Sequence, residues 1–273
     1  MDRVRAYRAG PVSAPESTPD LDPLPGTAVQ LLKDEPEARV EVRQTAQGPI
    51  VHKTYRNRGL RWWQTFGRRS RAAREFANLQ AVAALGLPCT PPLHWAEHRR
   101  GKFVDHSTLV TGLLAPAESL KVVLRSLDGL VHAAERRALA AAAGDLLRRL
   151  HAGGILWSTP MPRNLLVLGS PAEAKLAVCD VPNAVRFAGS ILGKPAARID
   201  LFRAAFSPSR RRDWTPQERW RWTLAYAAGD REEAKRLWRD LSRRTTMGTD
   251  LRRSLSAVRN VYLGSDRKSA NAT

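Results

Sequence analysis

The chain has 273 residues, of which 43% are hydrophobic and 26% charged, the ordinary balance of a soluble globular protein long enough for one large domain or two lobes. No apolar run reaches the roughly 18 residues that a membrane-spanning helix needs. The net charge of +19 favours anionic partners such as nucleotides, phosphorylated sugars, lipid headgroups or nucleic acid, although an arginine- and alanine-rich composition of this kind also follows from a GC-rich genome.

Residues 1–27 carry Pro11, Pro15, Pro19, Pro23 and Pro25 with few large apolar residues, and read as a disordered leader. Met1 to Gly10 has arginines but no apolar core of the kind a secretory signal carries. From about Ala38, Val40 and Val42 alternate with charged residues, Gln47-Gly48-Pro49 makes a turn, and Ile50 to Tyr55 forms the second arm of a hairpin. A basic stretch follows. Lys53, Arg56, Arg58, Arg61, Arg68, Arg69, Arg71 and Arg74 lie between His52 and Glu75 without one acid, and Trp62-Trp63 sit among them. Such a stretch suits phosphates or an anionic membrane surface, or is a solvated loop. A helix is expected from about Arg69 to Leu85, with Phe76, Leu79 and Ala83 on one face and Gly86 and Pro88 ending it. Short strands near Leu93–Ala96 and Ser107–Leu113 complete a small mixed unit, 28–114.

The remainder, 115–263, reads as mostly helical. Arg136 to His151 is a long helix with Leu139, Ala143, Leu146 and Leu150 on one stripe. A loop from Leu156 to Asn164 leads into a hairpin, Leu165–Leu168 and Leu176–Cys179, that delivers Asp180. Helices are then expected at about 197–206, 215–228, 231–243 and 248–260. Thr215-Pro216-Gln217-Glu218 carries the cap, the proline and the glutamate of a capping box. Gly264 to Thr273 reads as a loose tail. Cys89 and Cys179 lie far apart and form neither a disulfide framework nor a metal motif, which fits a reducing cytoplasm.

Four residues stand out chemically. Lys53 sits on a strand and shares its face with Val51, and a buried ammonium needs a partner. Glu75, the one acid between residues 53 and 96, lies on the edge of the buried face of the next helix; the alternative for it is a surface pair with Arg71. Asn164 and Asp180 flank one hairpin, and an amide and a carboxylate oxygen suit Mg²⁺, although each alone is an ordinary turn residue.

Val51-His52-Lys53-Thr54-Tyr55, Arg74-Glu75-Phe76, the helix ending at Leu150-His151, Asn164-Leu165-Leu166-Val167, Cys179-Asp180-Val181-Pro182 and Ile199-Asp200-Leu201-Phe202 together resemble the bacterial lipopolysaccharide kinase family. The resemblance spans about residues 38 to 245. It implies a two-lobed protein-kinase-like α+β fold, with a small β-rich N-lobe and a larger helical C-lobe. It also implies ATP and Mg²⁺ as cofactors, Kdo or heptose of the lipopolysaccharide core as acceptor, and work in the cytoplasm at the inner face of the membrane. By the same resemblance, Val51, Lys53 and Glu75 fall in the nucleotide site, with the Lys53–Glu75 pair holding its phosphates, and Asn164 and Asp180 are metal ligands.

The sequence departs from that family at its catalytic loop and its glycine-rich loop. The catalytic aspartate is expected five residues before the asparagine, and Thr159 stands there, with no acid from Ile155 to Asn164. A threonine hydroxyl is no base at neutral pH, and only Gly48 marks the glycine-rich loop. Three readings follow: a nucleotide-binding, pseudokinase-like member with impaired or absent transfer; an active sugar kinase; and a basic binding module for anionic membrane or nucleic acid, for which no nucleic-acid motif is present. His151 is expected to be structural, Asp200 to cap its helix and brace the loop, and Trp157 to pack in the core, with part of the acceptor site as its alternative.

Overall fold

A computed structural model describes residues 2–8, 26–127, 131–207, 210 and 213–243. The expected helix at 248–260 and the expected tail lie outside the described residues. Among the described residues the chain divides into two compact units, with the main division between Leu114 and Ala115; Ala84–Cys89 goes with the second.

The first unit is a six-stranded antiparallel sheet carrying one long helix. Its strands are β1 (Asp2–Arg8), β2 (Thr27–Glu35), β3 (Ala38–Thr45), β4 (Gly48–Arg56), β5 (Pro92–Arg100) and β6 (Phe103–Gly112), in the spatial order β1-β5-β6-β4-β3-β2. One helical turn, α1 (Leu60–Trp63), and the helix α2 (Arg71–Ala84) connect β4 to β5. Within the stretch 1–27, which was expected to be leader, Asp2–Arg8 pairs with His94–Arg100 of β5. That edge of β5 otherwise presents unpaired amides and carbonyls, and a neighbouring segment satisfies them. β2 also had no counterpart in the expectation. Every one of its side chains is exposed, so it leaves no alternating pattern, and it joins β3 through the backbone with register shifts at Ala28/Gln30 and Leu31/Lys33. On α2 the buried stripe runs through Glu75, Phe76, Leu79 and Val82, while Ala83, expected inside, is exposed.

His98 and His106 face each other across β5 and β6, with rings stacked at 5.0 Å. Burial, then the neighbouring His98, hold the His106 imidazole below its ordinary value of 6.5, with Asp105 opposing and Arg56 adding. The folded chain therefore binds fewer protons here than the unfolded one, and stability is full above about pH 6.5 and declines as pH falls through it. His106→Gln should flatten the fall in Tm between mildly alkaline and mildly acidic buffer. An unchanged slope would place the effect elsewhere.

The second unit holds α3 (Leu120–Ser126), α4 (Ala133–Ala152), α5 (Pro195–Leu201), α6 (Pro216–Tyr226) and α7 (Arg231–Arg243). Beside them lie β7 (Ala117–Ser119), β8 (Ile155–Leu156), β9 (Leu165–Leu168), β10 (Leu176–Val178) and β11 (Val185–Arg186). β9 is central to the sheet β10-β9-β7, and β8 pairs β11. The α4 stripe of Leu139, Ala143, Leu146 and Leu150 is buried, each leucine contributing roughly 1.5–3 kcal/mol. Gly144 lets α6 approach closely, since a Cβ there would stand 2.1 Å from the Trp222 carbonyl oxygen. Thr215 and Glu218 form the capping box of α6. Glu218 also receives Arg136 of α4 at 2.6 and 3.1 Å, and the same guanidinium donates to the carbonyls of Leu124 and Asp213. A buried guanidinium is tolerated because its donors are met. The expected helix at 197–206 is α5 followed by one wider turn, Phe202–Phe206.

Candidate functional site

In the first unit, Lys53 lies on β4, an interior strand, between Val40 of β3 and Leu109 of β6. Strand alternation puts Val51, Lys53 and Tyr55 on one face. Glu75 of α2 meets that face and is fully buried. Its Oε1 accepts from Lys53 Nζ at 2.7 Å and its Oε2 from the Tyr55 hydroxyl at 2.7 Å. Both carboxylate oxygens are thus satisfied, which makes burial of this charge affordable. The Lys53 side chain keeps 12% exposure, so it is held on Glu75 without being fully enclosed. Val51 is buried beside it. Arg71, the partner that sequence offered as an alternative for Glu75, lies over the Tyr55 ring at 4.5 Å. Tyr55 was not singled out from sequence, yet its place two residues beyond Lys53 on the same strand was the available signal.

In the second unit, the segment 157–164 is held from several sides. Asp200, near the end of α5 rather than at its start, accepts from the Trp157 amide at 2.6 Å through Oδ2 and from the Ser158 amide at 2.8 Å through Oδ1. Its role is to brace the loop, not to cap its helix. Ser158 has φ of 68°, a left-handed conformation that non-glycine residues rarely adopt, and Arg203 donates to its carbonyl at 2.5 Å. The fully buried His151 contacts Asp200 Oδ2 at 3.3 Å through Nε2 and the Tyr226 hydroxyl at 2.8 Å through Nδ1. Burial, then the Asp200 and Glu233 charges, push the Tyr226 phenol up, so its O–H is a donor. The imidazole is thus held at both nitrogens, between a hydroxyl and a carboxylate. His151 is structural, and Trp157, 1% exposed, is core.

Asn164 and Asp180 sit at the open end of the β9–β10 hairpin. The Cys179 amide donates to the Asn164 carbonyl at 3.1 Å, and the Trp157 indole donates to the Asp180 carbonyl at 2.8 Å. The Asn164 Nδ2 donates to the Thr159 carbonyl at 3.0 Å, which leaves its Oδ1 as the free-standing acceptor of that amide. Thr159, half-buried, is thereby tied to Asn164 across the five-residue turn. One amide oxygen and one carboxylate are hard donors, and two protein ligands are the usual number where phosphates and water complete a Mg²⁺ octahedron. The donor set fits that ion. Among the described residues no group of three or more His, Cys, Asp or Glu gathers to hold a metal.

Neither Cys89 nor Cys179 is in a disulfide among the described residues. Among the described residues no helix is long and apolar enough to cross a membrane.

Among solved structures, the chain is similar to one described as "WaaP in complex with acyl carrier protein", at 17% identity and a TM-score of 0.55 over 91% of this chain and 90% of that one. That likeness shows the protein-kinase-like α+β fold. No curated protein matches. The model of the lipopolysaccharide kinase (Kdo/WaaP) family matches residues 30–226, well over half of the chain, and the chain belongs to that family.

Proposed function

We propose that this chain binds a nucleoside triphosphate and transfers its phosphoryl group slowly or not at all, as a pseudokinase-like member acting in lipopolysaccharide assembly. The observation that carries the reading is the Lys53–Glu75 pair, closed at 2.7 Å on a fully buried carboxylate, in a chain whose loop offers Thr159 where a carboxylate is expected. Lys53 supplies the cation for the nucleotide's phosphates, Glu75 and Tyr55 hold it in place, and Val51 adds apolar surface for the base. Asn164 and Asp180 are the residues that would hold Mg²⁺, whose chemistry when bound is to neutralise phosphate charge. Phosphoryl transfer rests mainly on positioning and charge, so loss of the base slows it without abolishing binding.

A second reading, an active kinase of a Kdo or heptose acceptor, draws on the same pair, since a buried ion pair is at best a weak source of stability and keeps its value where it holds a ligand.

The test is a thermal-shift titration with ATP and Mg²⁺. At 100 times the dissociation constant a ligand stabilises the native state by about 2.7 kcal/mol. The wild type should shift, and Lys53→Met and Asp180→Asn should not. The comparison is of ligand-induced shifts, because Lys53→Met also strips Glu75 of a partner. A wild type that fails to shift removes nucleotide binding from the reading. Labelled phosphate appearing on a lipopolysaccharide-core sugar at ordinary kinase rates would favour the active enzyme.

A further inference from the structure

The basic stretch between β4 and α2 forms an apolar, cation-flanked face that the nucleotide reading does not use. Leu60, Trp63 and Phe66 are 75%, 63% and 55% exposed. Scattered apolar residues on a surface are ordinary, but a cluster of large ones marks a contact site. Here Trp63 and Phe66, with Trp62, gather on Phe103 at the β5–β6 turn, and Leu60 opens the same segment. Trp62 stacks on it at 4.1 Å, Phe66 lies at 5.1 Å, and Trp63 meets it edge-on at 5.2 Å.

The cluster is fixed in place. The Trp62 indole donates to Asp105 at 2.8 Å, the Thr65 hydroxyl accepts from the Val104 amide at 2.9 Å, and the Gly67 amide donates to the Lys102 carbonyl at 3.0 Å. Gly59 and Gly67, with φ of 54° and 65°, bracket the segment in backbone conformations that suit glycine. A merely solvated linker has no need of four hydrogen-bonded or stacked anchors to hold leucine, tryptophan and phenylalanine outward.

Charge surrounds this apolar centre. Arg100 and Lys102 lie over the Trp62 and Phe66 rings, each at 5.6 Å. Two acids temper the charge, Glu37 at 3.2 Å from Arg61 and Asp105 at 2.7 Å from Arg100. Arg58, Arg68, Arg69 and Lys102 are exposed and make no ion pair among the described residues. No acid occurs in the sequence between Glu41 and Glu75.

We propose that this face, Leu60, Trp63 and Phe66 with the surrounding arginines and lysine, docks the protein on an anionic lipid bilayer. Aromatic and aliphatic side chains settle at the boundary between headgroups and acyl chains, and the cations meet lipid phosphates. A nucleic acid fits the same charge less well. Trp62 and Phe103 spend a ring face on each other, and Leu60, the most exposed of the group, offers nothing for a base to stack on. The proposal does not depend on nucleotide binding.

The test is co-sedimentation of the full chain with vesicles of phosphatidylcholine alone and with about 30 mol% phosphatidylglycerol, at low and high salt. The wild type should bind the anionic vesicles alone and release as salt rises. Trp63→Ser with Phe66→Ser should weaken binding by about tenfold or more. Arg68→Gln with Arg69→Gln should weaken it by roughly 25-fold, at about fivefold for each cation lost. Both pairs lie on the surface, and an unchanged Tm in the absence of vesicles confirms that the fold survives. As an independent readout, brominated lipids should quench wild-type tryptophan fluorescence more than that of Trp63→Phe. Equal binding to neutral vesicles, or full binding by the aromatic variant, overturns the proposal. So does a short DNA duplex that binds more tightly than the vesicles and is lost in the same variants, because the face would then be a nucleic-acid platform.

Discussion

Thr159→Asp should raise the rate of ATP turnover by about 10²- to 10⁴-fold over the wild type, the contribution of one positioned general base. That corresponds to roughly 3–5 kcal/mol of barrier lowering. The scaffold around the position is already built. The Thr159 carbonyl holds the Asn164 amide at 3.0 Å, and the two preceding amides, Trp157 and Ser158, are fixed on Asp200. A carboxylate placed there enters a loop whose backbone needs no rearrangement. Its cost is like-charge proximity, one residue from a segment already bound to a buried aspartate. A modest loss of Tm should therefore accompany the gain in rate. Thr159→Asn, close in shape but without a base, is the control and should leave the rate low. If the aspartate and asparagine variants turn over alike, the missing base is not what limits this chain, and the degenerate glycine-rich loop around Gly48 becomes the next place to look.

What was legible beforehand divides by the range of the interaction. The α6 start was readable because the capping box is local: Thr215, Pro216 and Glu218 act within one turn. Lys53 and Glu75 were readable as candidates because each broke a pattern, a lysine beside an inward valine and a lone acid on an apolar helix face. Their meeting at 2.7 Å is a tertiary fact that spacing suggested and geometry supplied. Tyr55 was passed over because nothing local distinguishes a strand tyrosine that donates to a carboxylate from one that merely packs. β2 was invisible because a fully exposed strand shows no period of two. The Arg136–Glu218 pair joins residues 82 apart. No periodicity reports such a bond; only the enclosing core shows that both charges are buried together. Asp200 was expected to brace the loop from a helix start. It does so from the last turn of α5, because both of its oxygens must reach back across more than forty residues to Trp157 and Ser158.

That reach sets the other large effect. Asp200→Ala should cost roughly 3–5 kcal/mol of stability, read as a fall in urea midpoint at unchanged slope. The buried Trp157 amide and the half-buried Ser158 amide lose the carboxylate that accepts from them, at about 1–3 kcal/mol each, and His151 loses the anion at its Nε2. Tyr226→Phe, which removes one hydrogen bond to the same imidazole, should cost about 1 kcal/mol. Asp200→Asn should fall between the two, since one oxygen remains an acceptor while its amide group opposes an N–H donor. The consequence for the site follows from Ser158. A non-glycine residue at φ 68° stores on the order of 1–3 kcal/mol and stays there because Asp200 holds its amide and Arg203 its carbonyl. Released from Asp200, Ser158 relaxes toward ordinary backbone, and Thr159, with the Asn164 amide bonded to it, moves as well. The nucleotide- and Mg²⁺-induced thermal shift of Asp200→Ala should therefore shrink by more than its lost stability alone requires. A variant that is destabilised but keeps the full ligand-induced shift would mean that Asn164 is positioned by the β9–β10 hairpin alone, and that Asp200 serves the fold rather than the site.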